Sequence, residues 1–141
     1  MSETVDTSPK RARPQFKNIG FGQIISSYKL PWSGKVSILH RVSGALLFLT
    51  LPFILYLFDK SISSEISFIT FSEVVGHPLV KLLCLGLIWA FLHHFCAGIR
   101  FLMLDLHRGI EKNQIQKSAI TVLAVSLSLT VILAAKFFHL F

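Results

Sequence analysis

Residues 37–58 read SILHRVSGALLFLTLPFILYLF, and after Arg41 this stretch carries no charged side chain for seventeen residues. A helix needs about 20 predominantly apolar residues to cross a bilayer. Two comparable stretches follow at residues 79–104 and 118–135, in a chain of 141 residues that is 52% hydrophobic and 15% charged. The sequence therefore predicts an all-α integral membrane protein with three transmembrane helices.

The predicted spans divide the chain into two parts. Residues 1–36 form a cytoplasmic N-terminal segment, irregular or carrying a short amphipathic helix, and residues 37–141 form the membrane domain. Helices are expected because three segments are too few to close a barrel, and lipid offers backbone groups no other partner. Pro52 is expected to kink the first span without ending it.

Lysine and arginine fall mostly on one side of the spans. Eleven of the fourteen lie within residues 1–41 or flank the second connection, and three lie on the other side. By the positive-inside rule, the N-terminus faces the cytoplasm and the C-terminus the periplasm. The net charge of +7 is then a topology signal. No nucleic-acid partner is expected, because the basic residues form no dense run.

The N-terminus favours a bacterial inner membrane with a multi-pass topology. About 35 mostly polar residues precede the first apolar run, so no signal peptide is predicted. Glu3 and Asp6 argue against a mitochondrial transit peptide, which is poor in acidic residues. Cys84 and Cys96 lie within the second span and are interpreted as packing residues rather than as a disulfide or metal site.

The start of the first span carries polar residues at helical spacing. Ser37, His40, Arg41 and Gly44 follow the pattern i, i+3, i+4 and i+7, which places them on one face of a helix. A helix cap with positive-inside anchors would explain part of this pattern. Donors at the edge of an apolar cavity are also what a quinone carbonyl or a carboxylate-bearing cofactor needs.

The second span contains two histidines, His93 and His94, in FLHHFCAGIRFLMLD, residues 91–105. Histidines are costly inside a membrane, so they indicate a function. Small residues lie one turn from His94: Ala90, Ala97 and Gly98. A flat macrocycle or another backbone can approach such a patch closely. This favours His94 as a haem ligand over a histidine that only bonds to a neighbouring helix.

The two predicted sites differ in depth. His94 lies ~15 Å from the cytoplasmic end of its predicted span and His40 only a few residues into the first, a difference of roughly 9 Å. The two side chains are therefore not expected to bind one iron. A six-coordinate haem would take its second histidine from another chain, which predicts a heteromer.

Two motifs, in this order, resemble the large cytochrome b membrane-anchor subunit of succinate dehydrogenase, respiratory complex II. They are SILHRVSG at the start of the first span, and His94, Gly98, Ile99, Arg100 and Asp105 in the second. Arg13–Pro14 is also similar to the N-terminal segment of that family. The resemblance covers almost the whole chain, including its length, its three spans and its topology.

The resemblance implies roles for the matching residues. Ser37 and Arg41 would form part of a ubiquinone site near the iron–sulfur subunit. His94 would be an axial ligand of haem b, whose second axial histidine comes from the small anchor subunit. The remaining expected roles are haem propionate contacts for His40, Arg41 and Arg100, haem packing for Gly44 and Gly98, and proton delivery for Asp105.

The family also implies partners and an activity. Electrons from succinate would pass through a flavoprotein subunit and iron–sulfur clusters to quinone, with haem b beside the path. The chain itself would supply no catalytic residue, and membrane lipid would surround it. Two departures from the family pattern are Phe101, where some members have a basic or histidine side chain, and SSYKLPWSGK before Ser37.

Three alternatives to a succinate dehydrogenase anchor remain, of which the first is a close relative of it. A quinol:fumarate reductase anchor would share the motifs, and a haem-less structural anchor would share the partners without the pigment. A transporter or channel component would need polar groups at matched depths on several spans. The third span offers none of these, and Thr121, Ala124 and Ser128 predict a helix-packing face there.

Overall fold

The computed structural model of the protein describes residues 20, 22–23 and 29–137. Within these residues the regular secondary structure is helical, without a β-strand. The all-α fold class is therefore confirmed. The predictions on Arg13–Pro14 and on most of the N-terminal segment lie outside the described residues.

Four helices follow one another along the described chain: α1 (Trp32–Ser63), α2 (Glu65–Gly76), α3 (Pro78–Asp105) and α4 (Lys112–Phe137). Three of them are long and apolar enough to cross a membrane: α1, α3 and residues Lys112–Lys136 of α4 each contain an 18-residue segment whose mean hydropathy is 1.9, 1.9 and 2.2, respectively. The three predicted spans are confirmed as helices. Pro52 lies inside α1 and does not end it.

Helices α1 and α4 begin before the apolar stretches that predicted them. α1 starts at Trp32, directly after Pro31, whose backbone is extended at the N-cap. Lys35 reaches back over the Trp32 ring, with Nζ 4.4 Å from the ring centroid. α4 starts at Lys112. Hydrophobicity locates the part of a helix that lies in lipid, whereas backbone hydrogen bonding continues into the polar interface, so both helices extend beyond their apolar stretches.

The connection between the first two spans contains a helix that the sequence analysis did not predict. Ser64 is the single residue between α1 and α2, and it forms a capping box with Ser67. The Ser67 N–H donates to Ser64 Oγ and the Ser64 N–H donates to Ser67 Oγ, each at 3.1 Å. These bonds satisfy two amides that a helix start leaves without partners. α2 therefore begins immediately and packs against α1 and α3.

Small residues allow the three spans to pack closely. The core consists of Val36 from α1, Ala97 from α3, and Ala119 and Val122 from α4. Ala97 and Ala119 are fully buried, as expected where helix backbones approach in a membrane. The predicted packing face of the third span is wrong for this chain. The residues predicted to form that face, Thr121, Ala124 and Ser128, are exposed in this chain, and α4 instead buries the face that carries Ala119, Val122, Ser126 and Thr130.

Helix α3 ends in a Schellman motif. His107 adopts a left-handed conformation with φ of 57°. Its N–H donates to the Leu104 carbonyl at 2.9 Å, and the Arg108 N–H donates to the Met103 carbonyl at 3.1 Å. Glycine usually occupies the left-handed position of this motif. The motif turns the chain towards α4 and places Arg108 beside the end of α3.

Candidate functional site

The imidazole of His94 lies between α3 and α1. Its Nδ1 is 3.0 Å from the His40 carbonyl oxygen and 3.3 Å from Ser43 Oγ. The Ser43 hydroxyl itself donates to the same His40 carbonyl at 2.9 Å. Two polar groups of the first span are therefore directed at one nitrogen of His94.

These hydrogen bonds determine which nitrogen of His94 carries the proton. A carbonyl oxygen can only accept, so Nδ1 must donate its hydrogen to His40. Nε2 then carries the lone pair, and it has no hydrogen-bond partner among the described residues. A metal-binding histidine typically has this arrangement, with one ring nitrogen held by a backbone carbonyl and the other available.

The His40 ring stacks on the His94 ring. Their centroids are 4.2 Å apart and their planes differ by 7°. The prediction that His40 and His94 lie at different depths is therefore wrong. Helix α1 begins at Trp32, before the predicted span, so His40 lies further along its helix than that span indicated. Rings stacked face to face cannot bind one iron from opposite sides. The prediction that His40 and His94 do not share a metal therefore rests on this stacking and no longer on a difference in depth. Phe101 packs against His40, with centroids 5.1 Å apart.

Two glycines adjoin the stacked pair at different distances. A Cβ atom on Gly44 would lie 2.7 Å from His94 Cε1, closer than real side chains approach. A Cβ atom on Gly98 would lie 3.7 Å from His40 Nε2, an ordinary contact. Gly44 therefore leaves the space that the His94 ring occupies, whereas Gly98 is a smooth surface beside His40.

An apolar groove adjoins His94 between α1 and α3. Its volume is about 700 Å³, and Ser43 and Ala90 line it. Ser43 contacts His94 directly, and Ala90 lies one helical turn before it. From there the groove extends to Thr50 and Leu79. The groove is large and almost entirely hydrocarbon-lined, as the binding sites of apolar cofactors are.

The predicted polar face of α1 divides into two parts. His40 and Gly44 are directed at α3, as described above. Ser37 is half-buried, and Arg41 is exposed. Neither side chain has a hydrogen bond or ion pair to another described residue. Both side chains therefore remain available to a ligand or to another subunit.

Arg100 is not part of the group around His94. It is 7% exposed, and its guanidinium donates from Nε to Ser118 Oγ at 3.0 Å and from Nη2 to the Ile115 carbonyl at 3.2 Å. The side chain is directed at α4, because six residues along a helix correspond to a rotation of about 240° from His94. The expected propionate contact of Arg100 therefore disagrees with its placement. Asp105 is exposed at the end of α3.

His93, the neighbour of His94, has a different environment. It is fully buried, and its ring stacks on Trp89 with centroids 5.4 Å apart. The ring approaches the Val36 backbone, but neither nitrogen makes a hydrogen bond of acceptable geometry within the described chain. Both nitrogens are enclosed by protein, so His93 is packed inside the bundle and does not present a nitrogen to the groove.

Four polar residues that organise these contacts were not identified from the sequence. Ser43 lies within the SILHRVSG stretch, three residues after His40, and that spacing could have identified it. Ser118 binds Arg100 as described. Gln116 and Ser33 join α4 to α1 through Gln116 Nε2 and Ser33 Oγ at 3.2 Å. The last two contacts join residues far apart in the chain, and no local pattern indicates them.

No group of three or more His, Cys, Asp or Glu side chains in the described residues could hold a metal ion. A metal at His94 would therefore need its other ligands from elsewhere. A porphyrin supplies four nitrogens in a plane and leaves only axial positions to protein. The donor set and the groove thus fit a haem better than a free ion.

Comparison with known proteins identifies one family that covers most of the chain. Residues 12–133 match the family model described as "Succinate dehydrogenase/Fumarate reductase transmembrane subunit". The chain is 31% identical over 111 residues to the succinate dehydrogenase cytochrome b556 subunit of Paracoccus denitrificans, covering 79% of this chain and 85% of that protein.

Two further relatives carry the same description. The succinate dehydrogenase cytochrome b556 subunit of Coxiella burnetii is 34% identical over 103 residues, which are 72% of this chain and 82% of the relative. That of Rickettsia felis is 28% identical over 109 residues, which are 77% and 85% of the two chains. The family-model match, residues 12–133, spans all the residues of the His40–His94 site.

Proposed function

Since the chain belongs to the succinate dehydrogenase/fumarate reductase transmembrane subunit family, we propose that it carries haem b and part of a ubiquinone site for a succinate dehydrogenase. A member of this family is a membrane subunit of a larger complex. The described relatives are cytochrome b556 subunits of succinate dehydrogenase, which favours succinate oxidation over fumarate reduction.

The state of the His94 imidazole carries the haem proposal. The bond from Nδ1–H to the His40 carbonyl fixes the tautomer and ring orientation, and leaves Nε2 without a partner in the described chain. Nε2 is not among the enclosed polar atoms of the described chain, so it is open to a ligand, and a nitrogen lone pair that faces an apolar environment is costly unless it has one. Iron bound at Nε2 would remove that cost, so we assign His94 as one axial ligand.

The surroundings of His94 support a flat apolar cofactor. The groove of about 700 Å³ is lined by Ser43, which contacts His94, although His94 itself does not line it. Gly44 lets the His94 ring lie close to α1 without a side chain between them. When bound, haem b would supply one-electron redox chemistry beside the path from the iron–sulfur clusters to quinone.

The propionates and the second axial position require further groups. His40 stacks beside His94, and Arg41 is exposed one residue away, so we propose that these two contact the propionates. Because the His40 ring is stacked face to face on the His94 ring, with centroids 4.2 Å apart, an iron has no room between their nitrogens. We therefore assign the second axial histidine to the small anchor subunit.

We assign the ubiquinone site to Ser37 and Arg41. They lie about one turn apart on α1, and their donors have no partner among the described residues, as a site for a quinone carbonyl requires. The iron–sulfur and flavoprotein subunits would adjoin this end of the bundle. Asp105, exposed at the same end, is our candidate for proton delivery. Most Lys and Arg residues also lie at this end of the bundle. We therefore propose that the protein lies in the inner membrane of a bacterium, with this end facing the cytoplasm.

A spectrum of the assembled complex tests the haem assignment. Wild-type complex purified in mild detergent should show a b-type absorption spectrum, and His94→Leu should lose it. His93→Leu is the matched control, because its ring nitrogens are enclosed away from the groove; it should keep the spectrum in whatever complex assembles. An unchanged spectrum in His94→Leu, or loss only in His93→Leu, would refute the assignment.

A pair of activity measurements tests the quinone site. Arg41→Leu should lower succinate:quinone activity at least about tenfold, the loss expected when a charged hydrogen bond to ligand is removed. Reduction of an artificial dye by succinate should stay near the wild-type rate. Lys35→Leu removes a charge from the same helix end, where Lys35 lies over Trp32, and should leave both activities intact. Equal quinone activity in Arg41→Leu and Lys35→Leu would exclude this role.

A further inference from the structure

The cytoplasmic end of the α3–α4 pair contains a second cavity, separate from the His94 groove. Its volume is about 420 Å³. Apolar side chains form much of its wall, including Ile99, Met103 and Val122, and two arginines, Arg100 and Arg108, also line it. The cavity thus combines an apolar wall with two positive charges.

Arg100 is a nearly buried cation without a counter-charge. It is 7% exposed, and no carboxylate in the described part of the chain forms an ion pair with it. Ser118 and Ile115 satisfy Nε and Nη2 through neutral acceptors. Neutral acceptors offset only part of the cost of removing a charge from water, so an anion nearby would stabilise Arg100.

One nitrogen of Arg100 remains available to such an anion. Nη1 has no hydrogen bond to a described residue. In this part of the chain, the fully enclosed polar atoms that lack a partner belong only to Trp89 and His93. Nη1 is therefore not enclosed, and Arg100 lines the cavity.

Arg108 approaches the same cavity from the loop. The Schellman motif holds its backbone through the bond to the Met103 carbonyl at 3.1 Å, so its position relative to α3 is defined. Gly109 also lines the cavity and has a positive φ of 74°. Arg100 meets the first turns of α4, whereas Arg108 lies beyond the end of α3, so the two charges surround the cavity at the level where an apolar span meets water.

We propose that this cavity binds an anionic phospholipid of the same membrane leaflet. The phosphate would lie between Arg100 and Arg108, and an acyl chain would follow Ile99, Met103 and Val122 towards the bilayer centre. Basic pockets between helices on the cytoplasmic side are suited to anionic lipid headgroups. The proposal does not depend on haem or quinone binding, because the cavity lies on the other face of α3.

Thermal unfolding of the detergent-solubilised complex tests the proposal. Phosphatidylglycerol should raise the Tm of the wild-type complex by at least about twice the shift produced by equal phosphatidylcholine. Glycerol 3-phosphate, which lacks acyl chains, should produce no shift. Equal shifts with the two lipids would overturn the proposal, and a full shift with glycerol 3-phosphate would overturn the acyl-chain part.

Variants localise the effect. Arg108→Gln is exposed and should fold normally, yet it should lose at least about half of the phosphatidylglycerol-specific shift. Arg100→Gln should abolish the shift, and Arg100→Lys should retain part of it because the charge remains. Lys117→Gln removes an exposed charge that does not line the cavity, and should behave like wild type. An undiminished shift in Arg108→Gln, or an equal loss in Lys117→Gln, would show that another surface or subunit binds the lipid.

Discussion

Helix α3 contacts its two neighbours in the bundle through contrasting surfaces. Towards α1 it presents His94, whose ring lies against Gly44 and whose Nδ1 meets the His40 carbonyl and Ser43. We name this contact the α1–α3 seam. Towards α4 it presents Ala97 and Arg100, and this contact is the α3–α4 seam. The first seam positions an aromatic ring, whereas the second combines small packing residues with a buried cation.

The two seams differ in how they use polar groups. In the α1–α3 seam, one nitrogen of His94 is held and the other is left without a described partner. In the α3–α4 seam, Arg100 makes hydrogen bonds that join two helices. A helix turns by about 100° per residue, so one span can carry a ligand site and a packing surface within six residues. The following substitutions separate the two seams, beginning with the largest expected effect.

Gly44→Val should disrupt the α1–α3 seam most strongly. Its Cβ would lie 2.7 Å from His94 Cε1, so the ring must move or the helices must separate, at a cost of about 1–3 kcal/mol or more. We expect loss of the b-type spectrum and a lower Tm of the complex. Gly98→Ala is the control, because its Cβ meets His40 Nε2 at an ordinary 3.7 Å. A normal spectrum in Gly44→Val would show that the seam adapts without consequence.

Ala119→Leu should weaken the α3–α4 seam while leaving the haem signal. Ala119 is fully buried in the core with Ala97, and an added isopropyl group there should cost about 1–3 kcal/mol. Thermal unfolding should occur at lower temperature, whereas absorbance per assembled complex should be unchanged. Ile120→Leu changes the exposed neighbour and should be neutral. Equal Tm values for the two variants would contradict the assigned packing face of α4.

Ser43→Ala should change the α1–α3 seam only slightly. The variant loses the hydroxyl bond to the His40 carbonyl, worth about 0.5–1.5 kcal/mol, but His94 Nδ1 keeps its own bond to that carbonyl. The spectrum should persist with a small loss in Tm. Ser61→Ala, which removes a similar bond on the exposed side of α1, provides the comparison. Complete loss of haem in Ser43→Ala would mean that Ser43, rather than the His40 carbonyl, holds the imidazole.

His107→Gly should slightly stabilise the end of α3 near the α3–α4 seam. His107 has φ of 57°, a conformation that costs a residue with a side chain about 1–2 kcal/mol. Glycine removes this cost but loses more entropy on folding, so we expect a net gain of about 0.5–1 kcal/mol. The measurement is Tm, with His107→Ala as the variant that should show no gain. A lower Tm for His107→Gly would indicate that the imidazole makes a stabilising contact in the complex.

Much of this architecture could be predicted from the sequence. The three spans are apparent because each apolar stretch is long enough for a bilayer, and α1, α3 and α4 contain them. The sequence also distinguished His94 from its neighbour His93, by the small residues one turn away from it. The structure supports this distinction through partly different residues. Of the small residues one turn away, Ala90 and Ala97 are buried in helix packing, and Gly44 from the other helix is the one directly against the ring.

Other features could not be predicted because they depend on distant residues. The depth argument separated His40 from His94, yet the rings stack, since a start at Trp32 changes the level of His40 in the bundle. Helix α2 was missed because its capping box, Ser64 with Ser67, lies in a segment interpreted as a connection. The partners of Arg100 on α4 were likewise not indicated by any spacing within α3.

Hydrophobicity along the chain alone determined that this protein is helical and that it crosses a membrane three times. The identity of neighbouring residues determined the short motifs that relate it to its family. These properties are local, because solvation acts on each segment separately. The packed bundle decided which nitrogen of His94 is held, which face of α4 is buried, and that Arg100 lies beside α4 rather than beside His94. Such outcomes depend on rotation and register between helices, which contacts between distant residues establish only when the spans pack together.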